Sequence, residues 1–189
     1  MAGASKKIKE TYTANQVDLI NAFRKLWHQN VLWTRSLIIS VSSELNDLPR
    51  VAKRLLQNPN DFAKAFRPFY GAEKAEEFEK LLQQYIVIAT KFISDVKAGN
   101  TAAVKKGRIK WYDNADNIAG FLSGINPYWS GHEWQTLLYE HIKMTENEIT
   151  ERLNGQYEAE IMQFDSIEDK ILVIADKMSK GIIKQAFYR

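Results

Sequence analysis

Cysteine is absent from this chain, and its backbone breakers are few, with four prolines and nine glycines. The lack of cysteine excludes disulfides, thiolate metal ligands and a cysteine nucleophile, so stability has to come from packing. No run of about 18 apolar residues is present to cross a bilayer. The opening residues carry lysines but not the apolar stretch of a secretion signal, so the expected compartment is the cytoplasm. Met1-Ala2-Gly3-Ala4-Ser5 also reads as vector-derived. Neither charge sign dominates: 26 basic and 23 acidic residues leave +3, interleaved along most of the chain, which is too weak an excess to point to nucleic acid. A glycine-rich phosphate loop, a Gly-x-Ser-x-Gly elbow and strand-like alternation are all missing. Nucleotide-binding α/β enzymes and the common hydrolases are thereby excluded.

What is present is a core. With 45% hydrophobic and 12% aromatic residues in 189, the chain can bury one compact domain or two small packed halves. Apolar residues recur every three or four positions, which predicts helices throughout. The first runs from Gln16 to Val41, with Leu19, Phe23, Leu26, Trp33 and Leu37 on one stripe and Ile20, Trp27, Val31 and Ile38 beside it. Asp47-Leu48-Pro49 starts a short helical piece over 48–57, and Asn58-Pro59-Asn60-Asp61 separates it from another over 60–69. Gly71 ends that region, a further helix runs from Ala72 to Val96, and Gly99-Asn100 stops it. Three more follow: one from Thr101 to Asn126-Pro127, one from His132 to Leu153, and one from Tyr157 to Lys184 with Ile161, Phe164, Ile167, Ile171, Ile174 and Met178 facing the core. All these faces are needed for the core, leaving no spare membrane-surface helix.

The two halves align. Trp27-x-x-Asn30 meets Trp111-x-x-Asn114 and Leu37-Ile38 meets Phe121-Leu122; Val87-Ile88-Ala89-Thr90-Lys91 meets Val173-Ile174-Ala175-Asp176-Lys177, and Leu55-Leu56 answers Leu137-Leu138. The expected fold is all-α, an antiparallel bundle of six to seven helices formed by two pseudo-symmetric halves. A flexible segment over residues 1–15 precedes one domain of residues 16–189, made of repeat 1 (16–99) and repeat 2 (101–187).

Polar residues interrupt the stripes. Asn30 and Asn114 occupy matching apolar positions, and a buried amide needs partners. They either pair with each other or with side chains across the centre, or they line a polar pocket. Arg35 flanks the first stripe, beside Trp33, and can take a carboxylate bidentately, with Asp116 or an acid of the last helix as candidates, or reach for water. Trp129, in the Asn126-Pro127-Tyr128-Trp129 turn, either plugs the end of the bundle or forms a binding lip. Asn30, Trp33, Arg35, Asn114, Asp116 and Trp129 are therefore the candidate ligand-binding residues. His141 shares a helix face with Thr145 and Glu148, and the last helix offers Asp165, Glu168 and Asp176. A histidine with carboxylates can hold zinc, manganese or iron, which makes His141, Glu148, Asp165 and Asp176 the candidate ligands of a divalent metal. The spacing is not that of a carboxylate-bridged di-iron bundle, because Glu140 and His141 are adjacent and Glu-x-x-His is missing.

The segments Leu26-Trp27 to Trp33-Thr34-Arg35, Trp111-Tyr112-x-Asn114-Ala115-Asp116, Ile125-Asn126-Pro127-Tyr128-Trp129 and Asp165-x-Ile167-Glu168, together with Asn58-Pro59-x-Asp61-Phe62, resemble a family of bacterial helical proteins without assigned activity. The resemblance covers most of the chain from Phe23 onward. Some members carry the label acetylglutamate kinase, which this sequence contradicts, since an amino-acid kinase needs a larger α/β sheet. The resemblance implies the helical fold and no activity. It also implies a histidine where this chain has Asn30, an exchange of a good metal ligand for a poor one.

Three functions fit these observations: a small helical binding or interaction protein with a polar site inside the bundle, taking a small ligand or a protein partner; a metal-dependent enzyme using His141 with carboxylates to activate water; and a structural or homo-oligomer-forming bundle.

Overall fold

A computed structural model describes residues 11–187, and they are all-helical. The elements are α1 (Ala14–Ser42), α2 (Leu48–Leu55), α3 (Asn58–Lys97), α4 (Thr101–Ile125), α5 (Gly131–Leu153) and α6 (Tyr157–Phe187). Most of the segment expected to be flexible lies outside the described residues; α1 already begins at Ala14, capped by a Thr13–Gln16 capping box. One expectation about helix ends needs correction. The gap between the two helical pieces falls at residues 56–57, and Asn58-Pro59 opens α3, where Asn58 is fully buried and the ring of Pro59 fits the first turn. The expected break at Gly71 is present: its φ of 78° is not helical and suits glycine, and the pieces expected over 60–69 and 72–96 are the two legs of α3 on either side of it.

Helices α1, α6, α5, α4 and α3 pack in that cyclic order, α3 closes on α1, and α2 lies against α1. Pairings running in opposite directions show that α1 and α6 are antiparallel: Arg24 meets Asp176 and Arg35 meets Glu160. The same holds for α5 and α6, where Glu133 meets Lys177 and Glu140 meets Lys170. Aromatic rings fill one end of the core. Phe62 sits edge-on to Trp27 and Phe78, Phe66 stacks on Phe78 at 4.5 Å, and Trp129 lies over Phe66 and edge-on to Trp134. Each such pair adds about 0.5–1.5 kcal/mol to the burial of its area.

One expected core residue is misplaced. Ile161 is 51% exposed, whereas Glu160 beside it is fully buried. Both fit the stripe of α6, one four and one three residues before Phe164. Glu160 takes the inward position because a cation waits there on α1.

Candidate functional site

Arg35 on α1, Glu148 and Arg152 on α5, and Glu160 on α6 form a layer of charge inside the bundle. Glu148 and Arg152 are four apart and share a face of α5. Beyond Leu153 the chain turns through Gly155, at φ 72°, so that the first turn of α6 doubles back onto that face. The Arg35 guanidinium is 2.5 Å from Glu160 Oε1, donates to Glu160 Oε2 at 3.1 Å and to Glu148 Oε1 at 3.5 Å, and lies over the Phe164 ring at 4.4 Å. Arg152 Nη1 is 3.9 Å from Glu160 Oε2, and its Nε donates to Ser42 Oγ. Exposure falls from 17% at the Arg35 side chain to 2% at Glu148 and 0% at Glu160.

Burial decides the charges here. It pushes the Glu148 carboxyl up to about 8; Arg35 opposes this, and the Glu160 and Glu151 carboxylates add to it. At neutral pH Glu148 therefore holds a proton. The two guanidiniums, Arg35 and Arg152, then both lie within 4 Å of the Glu160 carboxylate. Hydrogen bonding is less complete: Glu151 Oε2 is buried without a hydrogen-bond partner among the described residues, and Glu160 Oε1 meets Arg35 Nη1 as a close ion pair without an aligned hydrogen bond.

Two turns back along the same face of α5, His141 is also buried. Its Nδ1 is 2.9 Å from Tyr85 Oη on α3, and its Nε2 has no hydrogen-bond partner among the described residues. Burial lowers its pKa to about 4, so the ring is neutral. Between His141 and Glu148, the Thr145 hydroxyl is spent on the His141 carbonyl.

The two central asparagines do not meet. Asn30 donates to Asn58 Oδ1 at 3.0 Å, and Asn58 donates to the Leu26 carbonyl, tying α1 to α3. Asn114 donates at 3.4 Å to the Leu81 carbonyl and to Gln84 Oε1, on the other leg of α3. Of the expected arrangements, the two amides do not bond to each other: Asn30 finds a side chain on one leg of α3, and Asn114 a carbonyl and a side chain on the other.

The remaining candidates scatter. Asp116 is exposed and accepts from Gln135 and Tyr139, so Arg35 takes an acid of the last helix instead. Trp33 is partly buried under the Arg54 guanidinium, 5.3 Å from its ring centre. Trp129 is a plug: it is 3% exposed and donates to the Lys177 carbonyl. Its N–H edge is also pressed so close to α6 that a Cβ at Gly181 would overlap Nε1. Of the four expected metal ligands, His141 is engaged with Tyr85, Glu148 with Arg35 and Asp176 with Arg24 at 2.6 Å, while Asp165 is exposed. Among the described residues no group of three or more histidine, cysteine or acidic side chains is placed to hold a metal ion.

No protein-family model matches the chain, and neither a curated protein nor a solved structure matches it. What the layer can do follows from its own chemistry: it holds one exchangeable proton among closely spaced charges. Sequence reasoning found Arg35, Glu148 and His141 and missed Glu160, Arg152, Asn58 and Tyr85. Glu160 was detectable, standing four residues before Phe164 and seven before Ile167 on a helical stripe.

Proposed function

We propose that the chain is a small helical binding protein whose site is the Arg35–Glu148–Glu160 layer, and that its ligand is a small cation taking the place of the Glu148 proton. One observation carries this reading: Glu148 is buried, and Arg35, the one opposite charge within 4 Å of it among the described residues, is shared with Glu160, so that burial pushes the Glu148 carboxyl up to about 8. A cation reaching Glu148 would supply the missing counter-charge and release that proton. The test is a thermal-shift and calorimetric series with guanidinium, ammonium and magnesium as probes, on the natural chain and on Glu148→Gln, at pH 6 and 9. A probe should stabilise the natural chain more at pH 9, where the carboxyl is already ionised, release a proton to buffer at pH 6 and little at pH 9, and leave Glu148→Gln unmoved. Equal shifts in both proteins, or none in either, would sink the proposal.

A second reading has an observation of its own. Every charged group of the layer except Glu151 already has an opposite charge within 4 Å. That is what a structural bundle needs to fix the register of α1 against α5 and α6. The two-half organisation belongs with either reading: we propose repeat 1 over 16–99 and repeat 2 over 101–187. It is supported by Trp27 and Asn30 on α1 and Trp111 and Asn114 on α4, buried at the same register in both helices. Membership in the bacterial helical family that the motifs resemble is likewise a proposal. It rests on those motifs alone.

A further inference from the structure

Charge is unevenly spread where α2 meets α3. Residues 50–67 hold Arg50, Lys53, Arg54, Lys64 and Arg67 against the single acid Asp61, an excess larger than the +3 of the whole chain. Beside this segment, a groove of about 490 Å³ runs between α1 and the first turns of α3, lined by Lys25 and Gln29 on one wall, Asp61 and Lys64 on the other, and Arg54 at its end. Lys64 holds Asp61 at 3.2 Å, so the one acid of the lining is already neutralised. Arg54 is different. Its guanidinium is oriented by the Trp33 ring rather than by a carboxylate, and its buried Nη1 has no acceptor among the described residues. Arg54 thus lines the groove as a cation with no carboxylate partner among the described residues, and an oxyanion there would give its guanidinium one.

We propose that this groove binds the phosphate group of a small molecule. Arg54 supplies the oriented fork and Lys25 a second cation, while Lys64 offsets Asp61. The lining is left with two net positive charges, which a doubly charged phosphate matches better than a carboxylate does.

The test is a titration of the intact chain with inorganic phosphate and phenyl phosphate, followed by amide NMR shifts and calorimetry at low ionic strength, with acetate and chloride as comparison anions. Phosphate should saturate with a dissociation constant of about 1 mM or below, shifting amides around residues 22–29, 54 and 61–65. Arg54→Gln should weaken it by about tenfold and Lys25→Gln by about threefold, while Lys106→Gln on exposed α4 changes nothing. Lys25 is exposed, so its variant gives a reading even if Arg54→Gln folds poorly. The proposal is overturned by an absence of saturation up to about 10 mM, by acetate binding as tightly as phosphate, or by equal losses in Lys106→Gln and the groove variants.

Discussion

Replacing Glu148 by glutamine should change how stability depends on pH in a way no surface charge can imitate. In the folded chain Glu148 keeps its proton up to about pH 8, against 4.5 when unfolded. His141 stays neutral down to about pH 4, against 6.5 when unfolded. The raised carboxyl contributes stability that is fully present below pH 4.5 and is lost as pH rises to 8. The depressed imidazole contributes stability that is present above pH 6.5 and lost as pH falls to 4. Between pH 4.5 and 6.5 the folded chain binds one proton on Glu148 and the unfolded chain one on His141, so the two slopes cancel. From pH 6.5 to 8 only Glu148 acts, and about 2 kcal/mol should be lost at roughly 1.4 kcal/mol per pH unit. In Glu148→Gln that fall should vanish, leaving a rise of about 3 kcal/mol from pH 4 to 6.5 that belongs to His141. Urea unfolding across pH 4–9 measures both curves, urea being chosen because guanidinium is itself a candidate ligand. Taking the difference between the two proteins cancels the exposed pairs, such as Lys97–Glu44 and Lys177–Glu133, whose carboxyls the lysine partners hold below their ordinary range. A natural chain equally stable at pH 6.5 and 8, or a Glu148→Gln variant that retains the fall, would refute the buried proton.

Other perturbations separate packing from charge. Arg35→Leu should cost about 3–5 kcal/mol in urea unfolding at pH 7, because it leaves Glu160 charged and buried; a loss below about 1 kcal/mol would mean the pair is open to water. Gly181→Ala should force Trp129 off α6 and cost about 1–3 kcal/mol by overpacking, with a shift in tryptophan emission; an unchanged melt and spectrum would contradict the close docking of the ring edge. Asn30→Leu should lose about 1–3 kcal/mol by stranding Asn58, whereas Asn114→Leu, whose bonds are long, should stay within about 1 kcal/mol of the natural chain; equal effects would count against the separate pairings.

The helical class was legible because period-3.6 stripes run almost unbroken between a few glycines and prolines, and helix ends at Gly99 and Gly155 carry the left-handed backbone that glycine permits. The bend at Gly71 was visible as a break, but not as a bend between two legs of one element. Side-chain partners were another matter. Asn30 announced itself as a polar residue in an apolar stripe, yet its partner Asn58 looked like a turn residue beside proline, because a local pattern carries no information about which helix lies opposite. Glu160 was hidden by the same ambiguity. Adjacent Glu160 and Ile161 both satisfy the periodicity of α6, and the choice between them is made by Arg35, 125 residues away. Asp165 and Asp176 share the last helix, but sharing it does not bring them to His141: in the folded chain one faces solvent and the other belongs to Arg24.

The protonation state of Glu148 is most directly read from its side-chain carboxyl carbon, by carbon-13 NMR of glutamate-labelled protein, with the resonance assigned by its loss in Glu148→Gln. The buried layer predicts a titration midpoint near pH 8 that moves down when a cation probe binds. A midpoint at or below the ordinary 4.5 would contradict it.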